Sequence, residues 1–398
     1  MMNQKIRELV ETHKEDIMEF TRELVSIPSY EGNEEPIIMR LEREMEHIGF
    51  DDIQIDNMGN LMGQIGSGKN ILAIDGHVDT VDIGNPENWP FDPFKGKYEN
   101  DIIYGRGACD QKGGLASVFY ATRILKKIGL PEDMTLLITA TVQEEHYEGL
   151  NWQYIIRENK ITPDTVLLTE PSSLNIAIGH RGRVDLKIHT TGISSHGAAP
   201  ERGENAIYKI APIVLDIEKI CKKLPIDPIF GKGSITVTDI RSTSPSINAV
   251  ADSATIHVDR RLNSNDTLET VLNELKSLPS VKNAEAHIFV PEYKHKSDSR
   301  SVYSFNAYYP TWFMEESHPL VQTAIKAYKN QLNENPKLSY WRFSTNGAAT
   351  KGIFDIPTIG FGPGFEKYAH TVDDQVPVDH LIKATEFYTS FVKFWGNS

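Results

Sequence analysis

Residues 71–80 read Ile71-Leu72-Ala73-Ile74-Asp75-Gly76-His77-Val78-Asp79-Thr80. Four apolar residues run straight into a polar turn, the pattern of a short strand buried on both faces. Stretches 136–142, 165–168 and 356–361 have the same character. Between the first two, Leu115, Val118, Phe119 and Leu125 share one face of a helix. Strands alternating with helices predict an α/β sheet covered on both sides. In such sheets, ligands sit beyond the carboxyl ends of the strands. Upstream, Ile6, Leu9, Val10, Ile17, Phe20 and Leu24 fall on one face of a helix that Pro28 ends. Ile38, Leu41, Met45 and Ile48 mark a second helix.

The middle of the chain changes period. Val184, Leu186 and Ile188 alternate with Arg183, Asp185, Lys187 and His189, as in a half-exposed strand. A helical stripe follows at Ile207, Ile210, Val214 and Ile217, then strands over 234–240 and 254–262. Leu268, Val271, Leu272, Leu275 and Leu278 form another helical stripe, and 286–290 is a last strand. The order β-α-β-β-α-β is that of a ferredoxin-like unit. Segment 291–319 is polar, aromatic and longer than common connections, which suits a crossing segment or a functional loop. Helices with Leu320, Ala324, Tyr328 and Leu332, and with Leu381, Ala384, Tyr388 and Phe391, then resume the α/β pattern. The predicted architecture is a discontinuous α/β domain, residues 1–180 and 292–398, with an α+β domain inserted at 181–291.

Composition narrows the function. A chain of 398 residues suggests two or three domains. A net charge of −14 argues against nucleic acid or an anionic membrane as partner, because both need a basic face. The two cysteines, Cys109 and Cys221, build neither a disulfide framework nor a Cys-x-x-Cys metal site, and they suit a reducing compartment. No apolar run approaches the ~18 residues of a spanning helix, and the charged first residues lack a signal-peptide core. A cytoplasmic protein is expected.

The residues after the strand runs carry the chemistry. His77 offers a neutral imidazole, and Asp79, two positions on, can steady its ring. Gly105-Arg106-Gly107-Ala108-Cys109-Asp110-Gln111-Lys112-Gly113-Gly114 precedes a helix. It fits no phosphate-binding glycine pattern and reads either as a turn with a helix cap or as a turn aiming Asp110 at a metal. Glu144 and Glu145 follow the second strand and point to opposite sides; after an apolar strand, unpaired carboxylates are costly. Glu170 follows the third run, and Gly362-Pro363-Gly364 leads to His370. Nitrogen and oxygen donors without a usable thiolate pair make zinc the first expectation.

Together, GHVDT, GRGACDQKGG, the Glu-Glu pair and SSHGAAPERGENAI resemble the M20 family of di-zinc amidohydrolases and peptidases over nearly the whole chain. This family includes acetylornithine deacetylases, succinyl-diaminopimelate desuccinylases, aminoacylases and carboxypeptidases. The resemblance implies a zinc-peptidase-type catalytic domain with an inserted lid and dimerisation domain. It implies that His77 and Glu170 bind one zinc, Glu145 and His370 the other, and that Asp110 bridges them, with cobalt or manganese as substitutes. Asp79 would orient His77, and Glu144 would be the general base. His196, in Ser195-His196-Gly197, would bind the carbonyl oxygen in the transition state, across a homodimer. Asn248 and Arg261 would bind substrate, Arg261 as a carboxylate clamp.

Departures from the family pattern are Ser344-Thr345-Asn346-Gly347 in place of a Gly-Gly-Thr-Asp-type loop, Phe365 in place of a histidine, Asp374 in place of Glu, and His146 directly after the Glu pair. STNGAAT, GFGPG and segment 291–319 resemble the branch known as selenium-metabolism hydrolases. The expected reaction is cleavage of an amide bond in a small N-acyl amino acid, with a carboxylate-bearing small molecule or short peptide as partner. Dipeptidase, carboxypeptidase or N-carbamoyl hydrolase activity is the neighbouring alternative. A catalytically inactive metal-binding scaffold is the alternative of another class, and a cysteine hydrolase using Cys109 a third.

Overall fold

A computed structural model describes residues 2–296 and 302–396. Four strands organise the base: Asn70–His77 (β1), Met134–Thr141 (β2), Thr165–Leu168 (β3) and Ile176–His180 (β4). They belong to a nine-stranded mixed sheet. Its order runs from Asp52–Ile55 through Leu61–Ile65, β2, β1, β3, Thr358–Gly360 and β4 to Trp312–Phe313, with Leu338–Trp341 also on β4. β1 is parallel to β2 and β3, and Thr358–Gly360 is parallel to β3. This parallel middle is why the runs read as continuously apolar: every residue of β2 and β3 is buried. Helix Gly113–Ile128 (α1) buries Leu115, Val118, Phe119 and Leu125, the predicted face, and lies against Val378–Trp395.

The first helix is two. Met2–Thr12 and Lys14–Val25 are separated at His13, whose ring turns to Asp16 at 2.9 Å. Ile6, Val10, Ile17, Phe20 and Leu24 are all buried, so the apolar face continues across the break.

The second sheet contains Arg183–Thr191 (β5), Ser234–Thr243 (β6), Ser253–Arg261 (β7) and His287–Phe289 (β8). Its order is β6-β7-β5-β8, antiparallel throughout, as in a ferredoxin-like unit. Helices Ala206–Lys223 (α2) and Leu268–Ser277 (α3) cover it. Val184, Leu186, Ile188, Ile210, Ile213, Ile256 and Val258 form a core separate from that of the base.

Segment 291–319 is a crossing. Glu292–Lys296 and Val302–Asn306 pair as a hairpin. Tyr308–Tyr309 then adds a strand to β5, and Trp312–Phe313 adds one to β4. The outgoing and returning chains touch at Gly182, where a Cβ would lie 2.2 Å from the Tyr309 carbonyl oxygen. No helix among the described residues is long and apolar enough to cross a membrane.

Candidate active site

Five elements deliver their side chains to one place at the carboxyl end of the base sheet. His77 is the last residue of β1. Glu144 and Glu145 follow β2, and Glu170 follows β3. Asp110 leaves the glycine-rich turn ahead of α1. Gly107 turns that chain with a φ of 85°, and a Cβ there would press on Thr80 and Lys112. His370 comes from the loop after Thr358–Gly360.

Asp110 stands between the two imidazoles. Its Oδ1 lies 3.1 Å from His77 Nε2 and its Oδ2 lies 3.3 Å from His370 Nε2. The Glu pair divides as expected from an extended chain. Glu145 Oε2 is 2.9 Å from His370 Nε2, whereas Glu144 Oε2 is 3.9 Å and Glu170 Oε1 3.7 Å from His77 Nε2. His77, Asp110, Glu144 and Glu170 are all buried. His370, with 52% of its side chain exposed, is the open side of the site.

The ring of His77 is steadied from Asp79, mainly by backbone. Its Nδ1 is 2.9 Å from the Asp79 carbonyl oxygen and 3.5 Å from the carboxylate Oδ1. The other carboxylate oxygen, Oδ2, accepts the Glu145 N–H at 2.9 Å. One residue therefore fixes both His77 and the Glu pair. His146 turns away to Glu31 at 3.2 Å.

Electrostatics show how crowded the carboxylates are. Burial, then the neighbouring carboxylates, pushes Glu144 and Glu170 far above the ordinary range and raises Glu145. Burial acts on Asp110 in the same sense, but the two imidazoles more than reverse it and hold it low. Hydrogen bonds to Asp110 and Glu145 lift His370 to about 11. His77 is pulled down by burial, yet Asp110 and Asp79 carry it well above its usual value.

Glu144 Oε1 and Glu145 Oε1 are buried and have no hydrogen-bond partner among the described residues. Such oxygens are costly unless a cation meets them. Ligand atoms of His77, Asp110 and Glu145, and of His77, Glu144 and Glu170, lie within 4.8 Å of one another in each group. An oxygen and nitrogen set of this kind fits divalent cations of the zinc, cobalt or manganese type. The thiol of Cys109 does not join it. That thiol is buried, donates to the Phe365 carbonyl oxygen at 3.3 Å, and is pushed up by burial, so a thiolate nucleophile is disfavoured.

The three remaining expected residues lie on the inserted domain. His196 is exposed, and its Nδ1 accepts the Ala198 N–H at 3.0 Å. Asn248 is next to it: its carbonyl accepts the Gly197 N–H at 2.7 Å. Arg261 is held by Asp259 through two contacts of 2.9 and 3.0 Å. No hydrogen bond or ion pair among the described residues links any of them to the carboxylate cluster.

Two supporting carboxylates have no role in the sequence reading. Asp374 accepts the backbone of the Asp110 turn. Asp75, two residues before His77, accepts from Thr139 Oγ1 at 2.6 Å and Asn346 Nδ2 at 2.8 Å. A signal for the first was Arg106, a cation in a tight turn that needs a buried partner. For the second it was the Asp75–Gly76 step inside a strand end.

A model of the family described as Peptidase family M20/M25/M40 matches residues 73–393. The uncharacterized protein YgeY of Escherichia coli is 43% identical over 390 residues, covering 98% of this chain and 97% of that one. A succinyl-diaminopimelate desuccinylase of Ehrlichia canis is 26% identical, covering 96% of this chain and 99% of that one. Among solved structures, aminopeptidase PepT from Bacillus cereus superposes with a TM-score of 0.72 at 22% identity, covering 96% of this chain and 98% of that one. The mixed sheet and inserted lid described above are the shared fold.

Proposed function

The chain belongs to peptidase family M20/M25/M40 and is a hydrolase of it, and from that premise we propose that it cleaves the amide bond of a small N-acyl amino acid. The observation that carries this reading is Asp110, with one oxygen 3.1 Å from His77 and the other 3.3 Å from His370. In this reading His77 and Glu170 would hold one zinc ion, Glu145 and His370 would hold the other, and Asp110 would serve both. Bound zinc supplies a Lewis acid and a water acidified to a pKa near ~7.

The remaining work falls to the chain. Glu144, beside His77 and Glu170, accepts the proton of the attacking water, its carboxyl ionised once bound cations offset the burial and the neighbouring carboxylates that otherwise keep it protonated. The carbonyl carbon gains a C–O bond, the C–N bond breaks, and the proton passes from Glu144 to the departing nitrogen. A carboxylate and an amine leave. Glu144 has a free oxygen for this task, Oε1, which no side chain of the described residues occupies. His196 stabilises the oxyanion in the transition state, and Arg261 and Asn248 receive the substrate carboxylate. Arg261 must then exchange Asp259 for substrate.

Residues 181–291 act as lid and dimerisation domain. His196 is exposed and, among the described residues, makes no hydrogen bond or ion pair with the cluster of its own chain, which supports a role across a homodimer. Among the described residues of the lid, Ile193, Tyr208, Leu215, Ile226, Ile240 and Ile247 are large, apolar and exposed, and are available for that contact.

The test is a screen of N-acyl amino acids and dipeptides against chelator-stripped protein reloaded with zinc, cobalt or manganese. Activity that falls with chelator and returns with metal, on acyl amino acids before dipeptides, is the expected result. Preference for dipeptides would move the reading to a dipeptidase. Activity untouched by chelation would end it.

A further inference from the structure

The base has a second carboxylate whose position the reaction does not explain. Asp374 is fully buried, four residues after His370. Its Oδ1 accepts the Cys109 N–H at 2.9 Å, and its Oδ2 accepts the Gly107 N–H at 2.7 Å. Arg106, itself buried, donates to Oδ2 at 3.1 Å and stacks over the ring of Trp89 at 4.9 Å. The Asp374 carbonyl oxygen also accepts the Gly105 N–H at 2.9 Å, and the strands on either side continue the pairing, Gln375 opposite Tyr104. Every donor is in the turn that delivers Asp110, and Asp374 itself is in the loop that delivers His370.

The connection closes on itself. Asp374 holds Cys109, Cys109 is followed by Asp110, Asp110 Oδ2 meets His370 at 3.3 Å, and His370 leads back to Asp374. The turn Gly105–Cys109 is packed at Arg106, which lies over Trp89, and at Cys109, whose thiol meets the Phe365 carbonyl oxygen. Two acceptor oxygens aimed at two of its N–H groups fix its angle directly. Asparagine in the same place offers one acceptor oxygen and must set an N–H₂ against a donor.

We propose that Asp374 is a positioning residue that sets the angle of Asp110 between the two half-sites, so that the His77 side and the His370 side load as one unit. The proposal rests on the ligand roles given above for Asp110 and His370. Arg106 supplies the charge that lets Asp374 stay buried and does not itself aim Asp110.

Cobalt(II) titration of the chelator-stripped full chain tests it, read by visible absorption and calorimetry. Asp374→Asn is expected to keep its secondary structure, to bind at least one of two cobalt equivalents about 10–100-fold more weakly, and to show an altered cobalt spectrum. Arg106→Gln leaves both backbone contacts and is expected to lower the melting temperature while keeping the spectrum. Should Asp374→Asn not fold, Asp374→Glu, which keeps the charge and moves the oxygens, is expected to fold with the altered spectrum. Asp374 variants with the unaltered spectrum and affinities would overturn the proposal, as would Arg106→Gln moving the spectrum as far as Asp374→Asn. Asp110→Asn separates the two levels: full cobalt binding there overturns the ligand roles themselves.

Discussion

Arg183, on the first strand of the lid, grips Glu148, just beyond the Glu144–Glu145 pair, with contacts of 3.2 and 2.9 Å. Ser344 Oγ donates to the same carboxylate at 2.9 Å, and the guanidinium lies 4.2 Å from the ring centre of Tyr309. Both side chains are mostly buried, at 15% and 11% exposure. Lid, base and active-site loop therefore meet in one charge pair. Arg183 also meets Asp185 at 2.9 Å, so removing Glu148 leaves the guanidinium one partner, at a cost of about 1.5–3 kcal/mol. Glu148→Ala is expected to lose that much in urea unfolding. Arg183→Leu with Glu148→Leu together is expected to lose less than Arg183→Leu alone, which strands both Glu148 and Asp185.

Glu144→Gln separates binding from turnover. The variant keeps its size and is expected to hold the same metal content by elemental analysis. With no base, its kcat on a confirmed substrate is expected to fall roughly 10²–10⁴-fold. Turnover at the unaltered rate would remove Glu144 from the reaction.

Glu34 gives the fold a pH signature. It is 6% exposed, and burial, then the nearby Asp79, pushes it up to about 8 from 4.5. The folded value is raised, so the contribution is fully present below about 4.5. It is lost as pH climbs through about 8, because the unfolded chain ionises first. Glu34→Gln is expected to gain stability relative to the unaltered chain between about pH 5 and about pH 9, on the order of a few kcal/mol. Parallel urea curves at all pH values would contradict this.

Asn346 explains a departure from the family pattern. Its Nδ2 serves the buried Asp75 carboxylate at 2.8 Å, a task that an Asp, as in the Gly-Gly-Thr-Asp-type loop of the resemblance, could not perform. Asn346→Asp would set two buried carboxylates against each other. A loss of about 3 kcal/mol or more is expected near neutral pH, smaller in acid where one carboxyl takes a proton. Adding Asp75→Asn to that variant is expected to restore most of the stability, measured by thermal melting.

What the sequence disclosed follows from how local each signal is. The runs at 71–74 and 165–168 were legible because strands buried on both faces leave an unbroken apolar stretch. His77, Glu144, Glu145 and Glu170 were legible because they directly follow such stretches. The insert expected at 181–291 announced itself by its change of period. The Arg106–Asp374 pair left only the cation of Arg106 as a signal and no mark of its partner, since nothing periodic joins residues 268 apart in sequence. The break at His13 left the apolar face intact and so left no mark on the pattern. Tyr308–Tyr309 is too short a strand to alternate visibly. The exposed placement of His196 and Asn248 depends on where the lid sits over the base, which no local pattern encodes.

The parallel pairing of Val166 with Thr358 sets an order of assembly. As the chain emerges from the ribosome, β3 has an open edge until the whole lid and the crossing segment have been made. The lid strands β5 to β8 pair only among themselves and with Tyr308–Tyr309, so they can close early. Closing the large loop between β3 and Thr358–Gly360 carries an entropic cost that only the late contacts offset. The carboxylate cluster is therefore late to complete: His370 and Asp374, which meet Asp110 and its turn, join the base only after the whole lid has been made.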